Sequence, residues 1–144
     1  MYTILLPVDA DGTHIRDAID AIASLPADPE ELSVVVLNVF KEFSVSDSEG
    51  GVVDSEEIFD EKEIPAGVEQ AVALLEEHEI EPTVRREHGN VTETIIEVAT
   101  EIDADQIVMA GRGRSPVGKA LFGSTTQGVL RAANRPVTIV MKKS

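Results

Sequence analysis

The side chains best suited to chemistry stand in one stretch, Gly111 to Thr126, which reads Gly-Arg-Gly-Arg-Ser-Pro-Val-Gly-Lys-Ala-Leu-Phe-Gly-Ser-Thr-Thr. An apolar run, Gln106–Ala110, leads into it. Thr126, Val129, Leu130 and Ala133 leave it at a spacing that shares one helical face. Strand, glycine-rich loop and helix start is an arrangement that cradles phosphates. Glycines let the backbone come close, and the first amides of a helix point outward at an anion. Arg112, Arg114 and Lys119 add positive charge. A lone carboxylate, Asp9, ends another apolar run; it can accept from an adenine amine or a ribose hydroxyl, or hold Mg2+ through water. The plainer reading of the same residues is a capped loop without a ligand. Ser124 followed by Gln127 fits a capping box, and Asp9 fits the turn into the next helix.

Other chemistries find little support. The chain has no cysteine, which excludes disulfides and thiolate chemistry. His14, His78 and His88 are scattered without metal-ligand spacing, and no G-x-S-x-G elbow is present. One tyrosine and no tryptophan leave almost no platform for stacking nucleobases of a nucleic acid, and the acidic body opposes DNA. No run of about 18 apolar residues suggests a membrane span. The opening residues lack the basic and apolar regions of a signal peptide, so the expected location is cytoplasmic.

The charge is uneven. The net charge is −15, with a pI near 4.4. Before residue 106, 27 acids face five bases and leave −22; from Gln106 onward seven bases and no acid leave +7. A carboxylate-free, basic loop on so acidic a chain favours a polyphosphate partner. Many acids and only five lysines also suggest a salt-rich, halophilic cytoplasm. Stability that rises along a KCl series is the expected result, read by thermal unfolding; a flat response counts against it.

The elements that position these residues follow from periodicity. Thr3–Val8 is a short apolar run, read as a strand, and Ile15, Ala18, Ile19 and Ile22 follow as a helical face with Asp11 or Thr13 as cap. Pro26 to Pro29 breaks that helix. Glu31–Val39 is a second strand, continuously apolar over Val34–Leu37 as a strand covered on both faces would be. Residues 41–63 read as an acidic, flexible excursion. Pro65 opens a helix with Val68, Ala71, Val72 and Leu75 inward, ending near His78. Pro82–Glu87 is a third strand, arginine-bearing and suited to an edge. Asn90 with Glu93 caps a helix carrying Ile95, Val98, Ala99 and Ile102. Gln106–Ala110 is the fourth strand, and Arg135–Met141 the fifth.

Strands alternating with helices predict an α/β fold of one domain, residues 1–144, around a five-stranded parallel sheet of order 3-2-1-4-5 with helices on both faces. The order reverses between strands one and four, and ligands of such sheets bind at the carboxyl ends flanking that point. Those ends are Asp9 and Gly111. Gly113 to Lys119 match the opening of a P-loop, but Ala120 stands where Ser or Thr should hold Mg2+, and the motif follows the wrong strand.

The chain resembles the universal stress protein family, in a loop variant seen in haloarchaeal members. The likeness rests on Ile4-Leu-Leu-Pro-Val-Asp9, on Gly113, nine residues, Gly123 and Ser124, and on Arg135-Pro-Val-Thr-Ile-Val140. The first glycine gap is one residue shorter than the family's, with Arg112 alone between Gly111 and Gly113. The resemblance implies a Rossmann-like fold of the adenine nucleotide alpha hydrolase type, a stress-response role and ATP binding, with or without Mg2+. It places Pro7, Val8 and Asp9 near adenine and ribose, and Val39 against the base. Ala110, Gly111 and Gly113 flank sugar and phosphates, and Gly123, Ser124, Thr125 and Thr126 hold the phosphates. Arg114 fills part of the pocket or replaces Mg2+ as the neutralising charge. No residue stands out as a general base, so the chain is at most a slow ATPase. A homodimer through the strand-five edge, Arg135 to Met141, is implied as well, and that apolar edge needs covering in any case. The alternative is a dimeric interaction module of the same fold that binds no nucleotide.

Overall fold

A computed structural model describes residues 1–9, 14–40, 64–111 and 123–141. The expected excursion at 41–63, the caps Asp11 and Thr13, and the loop residues Arg112, Gly113, Arg114, Lys119 and Ala120 lie outside them. The elements are β1 (Tyr2–Pro7), α1 (Ile15–Ala23), a 3-10 turn (Pro29–Glu31), β2 (Leu32–Phe40), α2 (Ala66–Glu77), β3 (Pro82–His88), α3 (Val91–Glu101), β4 (Gln106–Ala110), α4 (Ser124–Ala132) and β5 (Val137–Val140). All five strands pair in parallel, in the order β3-β2-β1-β4-β5, as the alternation of elements predicts.

Alternation along each strand divides the core in two. Ile4, Leu6, Val8, Val34, Val36 and Val108 pack under α1 and α2, which contribute Ile15, Ile19, Ile22, Val68 and Leu75. Leu5, Val35, Leu37, Ile107 and Met109 pack on the other face with Ile95, Val98 and Val129 of α3 and α4. Each buried Ile or Leu contributes roughly 1.5–3 kcal/mol. A one-residue slip of β1 would exchange its two faces, so burial on both sides fixes the register.

Helix ends show where local chemistry and tertiary packing diverge. Asn90 Oδ1 accepts the Glu93 amide at 3.0 Å, as the Asn-to-Glu spacing predicts. His14 stands at the α1 cap position with φ 62 and no side-chain cap bond. Helices α2 and α3 stop through residues that favour glycine yet are not glycine. Glu79 has φ 61 and Asp103 φ 51, and the Ile80 and Ala104 amides donate back to Leu75 O and Ala99 O, each at 2.9 Å. This is a Schellman stop with a strained residue at its pivot. Glu79→Gly is therefore expected to stabilise the fold by up to about 1 kcal/mol, seen as a higher urea midpoint at unchanged slope. A lower midpoint would mean the Glu79 side chain contributes more than its backbone costs.

Helices α3 and α4 touch through Gly128. A Cβ built there would lie 2.9 Å from Thr92 Cγ2 and 3.0 Å from its Oγ1. Thr92 is β-branched within a helix and cannot swing away freely. Gly128→Ala gains up to about 1 kcal/mol in helix propensity but meets that clash. The alanine is expected to destabilise alone and to become stabilising in a Thr92→Ala background. A double-mutant cycle by chemical denaturation reads the coupling.

Arg85 ties the outer strand to the helix behind it. Its Nη2 donates to Glu101 Oε2 at 2.5 Å and its Nε to Glu87 Oε2 at 3.0 Å. The Glu101 bond, followed by that of Glu87, holds the guanidinium pKa above its ordinary value. With Val84 exposed, the charges of Arg85 and Glu87 guard this edge from pairing with another strand.

Candidate functional site

Strands β1 and β4 are pinned together at one end and part at the other. At the amino end, the Thr3 amide donates to Asp105 Oδ2 and the Asp105 amide to Thr3 O, each at 2.7 Å. Beside this clasp, Gln106 Nε2 donates to the Tyr2 hydroxyl at 2.8 Å and Thr138 Oγ1 donates to Gln106 Oε1 at 2.7 Å. The β1–β4 register holds for Ile4 with Gln106 and Leu5 with Ile107, and no further. Beyond that point β1 stays with β2 through Pro7 and Leu37, while β4 stays with β5 through Ala110 and Val140. The two central strands thus follow different partners toward their carboxyl ends. This is the topological switch point, where open α/β sheets take ligands in a crevice between those ends.

The expected site residues within the described chain stand at the carboxyl ends of β1, β2 and β4 and at the start of α4. Pro7 ends β1; the Val8 amide donates to Leu37 O at 2.9 Å and carries the ladder one step further. Val8 is buried and Asp9, next in line, is exposed. Val39 stands near the end of β2 and packs against the core on the α3–α4 side. Ala110 ends β4, and the buried Gly111 donates its amide to Val140 O at 2.8 Å. A Cβ at Gly111 would sit 2.6 Å from Met141 Sδ and 3.0 Å from Ile139 Cγ2, so any larger residue there must displace Met141 and press on Ile139. Gly113 and Arg114 fall outside the described residues.

The fourth element is the start of α4, which a β4–α4–β5 crossover sets at the carboxyl edge of the sheet. Here the expected capping box is corrected. Gly123, not Ser124, is the cap, with φ −71 and ψ 169, and it makes no side-chain cap bond. The Gln127 amide donates to Gly123 O at 3.1 Å, which closes the first helical turn. Ser124, Thr125 and Thr126 therefore occupy the first three helical positions, whose amides have no acceptor within a helix. Thr126 is buried and Ser124 exposed. Leu130, expected on the buried face, is 43% exposed, because α4 buries only Thr126 and Val129 over the border of the sheet.

A residue the spacing arguments passed over is Asn38. It is 4% exposed on β2, on the same side as Val34 and Val36, and its Oδ1 has no hydrogen-bond partner. An amide inside the run Val34-Val-Val-Leu-Asn-Val39 was the available signal. Among the described residues, no group of three His, Asp or Glu is placed to hold a metal ion, and no helix is long and apolar enough to cross a membrane.

Comparison with known proteins agrees with this fold. The family model described as Universal stress protein family matches residues 1–141. A universal stress protein of Synechocystis is 29% identical over 138 residues, covering 96% of this chain and 84% of that protein. Among solved structures, a universal stress protein from Archaeoglobus fulgidus superposes with a TM-score of 0.74 at 24% identity, covering 97% of this chain and 98% of the other. A second structure of the universal stress protein from that organism, in complex with dAMP, gives a TM-score of 0.69 at 22% identity, covering 97% and 98%.

Proposed function

The chain belongs to the Universal stress protein family, and from that premise we propose that it binds ATP, or a related adenine nucleotide, in the crevice between β1 and β4. The observation that carries the proposal is that β1 and β4 take different partners toward their carboxyl ends, with α4 starting on that same edge of the sheet. A nucleotide fits the chemistry of the two banks. Asp9 is an acceptor suited to a ribose hydroxyl or a base amine. The amides of Ser124, Thr125 and Thr126 are donors suited to phosphate oxygens, and the helix dipole adds about 0.3–1 kcal/mol for an anion. Pro7, Val8, Val39, Ala110 and Gly111 supply the apolar and close-packed walls. Gly113 and Arg114 belong to the same reading, with Arg114 neutralising charge in place of, or beside, Mg2+.

The protein acts in this reading as a stress-response nucleotide binder with at most slow hydrolysis. Calorimetry with ATP, with and without Mg2+, in molar KCl tests it. The expected result is a saturable heat together with a rise in melting temperature. No heat and no thermal shift would reject the nucleotide reading and leave an interaction module of the same fold.

The same proposal includes a homodimer through β5. The Ile107 and Gly111 amides take Pro136 O and Val140 O, so alternate groups of β5, at Val137 and Ile139, face away from β4. Pairing this edge with its copy across a two-fold axis would satisfy them. Sedimentation equilibrium is expected to give twice the 15.5 kDa chain mass. A 15.5 kDa species at micromolar concentration would remove the dimer.

A further inference from the structure

We propose a second binding site, independent of the nucleotide reading, for a small organic cation with an apolar body, at the opposite end of the sheet. A pocket of about 590 Å³ lies there, between the amino ends of β1 and β2 and the segment that joins α1 to β2. That volume is in the range that holds a metabolite-sized molecule. The floor belongs to the hydrophobic core. Leu32 is buried, and Leu25 and Ala27 pack against the cluster under α1 and α2. Met1 and Tyr2 form a wall and stay 83% and 39% exposed, so two large apolar side chains remain uncovered at one pocket. The wall is fixed at Tyr2, whose hydroxyl accepts from Gln106 Nε2 at 2.8 Å, while Gln106 is held in turn by Thr138. An apolar molecule seated there takes this surface out of water, with a gain roughly proportional to the area covered.

Charge selects the ligand. Glu30 and Glu31 line the pocket, and no lysine, arginine or histidine does. Glu31 is held in place by the 3-10 turn, its Oε1 accepting the Asp28 amide at 3.3 Å. Glu30 is exposed and, among the described residues, has no ion-pair partner. Carboxylates beside an uncovered apolar floor repel an aromatic acid and attract an amine with the same body. The six residues of β1 put about 20 Å between this pocket and the crevice, so the two sites do not overlap.

Tryptamine is the probe, and indole-3-propionate carries the same body with the opposite charge. The chain has no tryptophan, so indole fluorescence anisotropy belongs to the probe alone. At the lowest KCl that keeps the chain folded, tryptamine is expected to bind saturably and about 10-fold tighter than the acid. Glu30→Gln with Glu31→Gln preserves the turn, since glutamine also serves in a capping box. This double variant is expected to weaken tryptamine about 3- to 10-fold and to bring the two probes within about twofold. Glu93→Gln with Glu97→Gln removes the same charge from exposed positions of α3, on the other face of the sheet, and should leave tryptamine affinity within about twofold. An equal loss in both double variants would mean that the acidic surface at large attracts the amine, and would overturn the site. Displacement of tryptamine by ATP would put the probe in the crevice and overturn it as well. A wild type that binds neither probe saturably, or both alike, has the same consequence.

Discussion

Gly123→Asp is expected to make the protein more stable and a worse nucleotide binder at once. Gly123 caps α4 with φ −71 and ψ 169, an extended conformation that aspartate adopts without strain. The glycine makes no side-chain cap bond, and no acidic residue stands in the first turn of α4. A carboxylate at the cap accepts from the amides of the second or third helical residue and complements the helix dipole, a gain of a few tenths to about 1 kcal/mol. Those residues are Thr125 and Thr126, the same amides assigned to the phosphates. The carboxylate thus occupies the donors and repels the polyphosphate, and a loss of about 10- to 100-fold in ATP affinity is expected. Gly123→Asn separates the two causes, since it caps without charge and should lose less. Ser124→Asp places the charge one residue further on and should also weaken binding. The opposed signs make the test sharp, because a variant that lost binding by misfolding would lose its melting temperature too. Unchanged ATP affinity in a stabilised Gly123→Asp variant would mean the phosphates lie elsewhere.

The sheet could be read from the sequence because its strands are near-continuous apolar runs separated by helix-period segments. Val34–Leu37 admits burial on both faces, and that alone implies helices on both sides. Once the alternation is parallel, handedness and common strand order leave few arrangements, and Asp9 and Gly111 fall at the reversal. What could not be read were choices between neighbouring residues. The pattern Ser124-Thr-Thr-Gln127 fits a helix beginning after Ser124 as well as one beginning with it. Only the backbone decides, and it makes Gly123 the cap. The stops at Glu79 and Asp103 carry no glycine signal, since burial of Ile80 and Ala104 just beyond them forces the left-handed turn. Leu130 continues the helical period faithfully, yet α4 lies over the border of the sheet, where too little core exists to cover a second column of side chains.

The crevice shows the same division. Its position follows from topology, which the sequence encodes through long apolar runs. Its chemistry depends on contacts between residues far apart in the chain, which spacing does not reveal. Glycine at 111 reads as loop composition until Met141 and Ile139 are seen against it, and Asn38 reads as one more position in an apolar strand until its oxygen is found without a donor.

Filling the space at Gly111 is expected to have the largest effect on the fold. A Cβ there lies 2.6 Å from Met141 Sδ and 3.0 Å from Ile139 Cγ2. The two contacts differ in how far they can yield. Met141 is unbranched and can swing its sulfur aside. Ile139 is β-branched on a paired strand and packs into the core beside α4, so its methyl moves only with the backbone. Gly111→Ala should therefore cost about 1 kcal/mol, and Gly111→Val, which adds two methyl groups to the same space, nearer 3 kcal/mol. Because Gly111 donates to Val140 O, the strain passes into the β4–β5 ladder and displaces the bank of the crevice that β4 provides. ATP affinity should fall in both variants, by more in the valine. Met141→Ala removes the nearer clash and leaves the farther one. In that background Gly111→Ala should lose most of its cost, with a coupling of about 0.5–3 kcal/mol by denaturant unfolding. Gly111→Val should stay destabilised there, since Ile139 still blocks it. Additive free energies in the Gly111→Ala, Met141→Ala cycle would show that the side chain at 111 finds room without Met141 moving, and the close-packed wall assigned to this end of β4 would have to be abandoned.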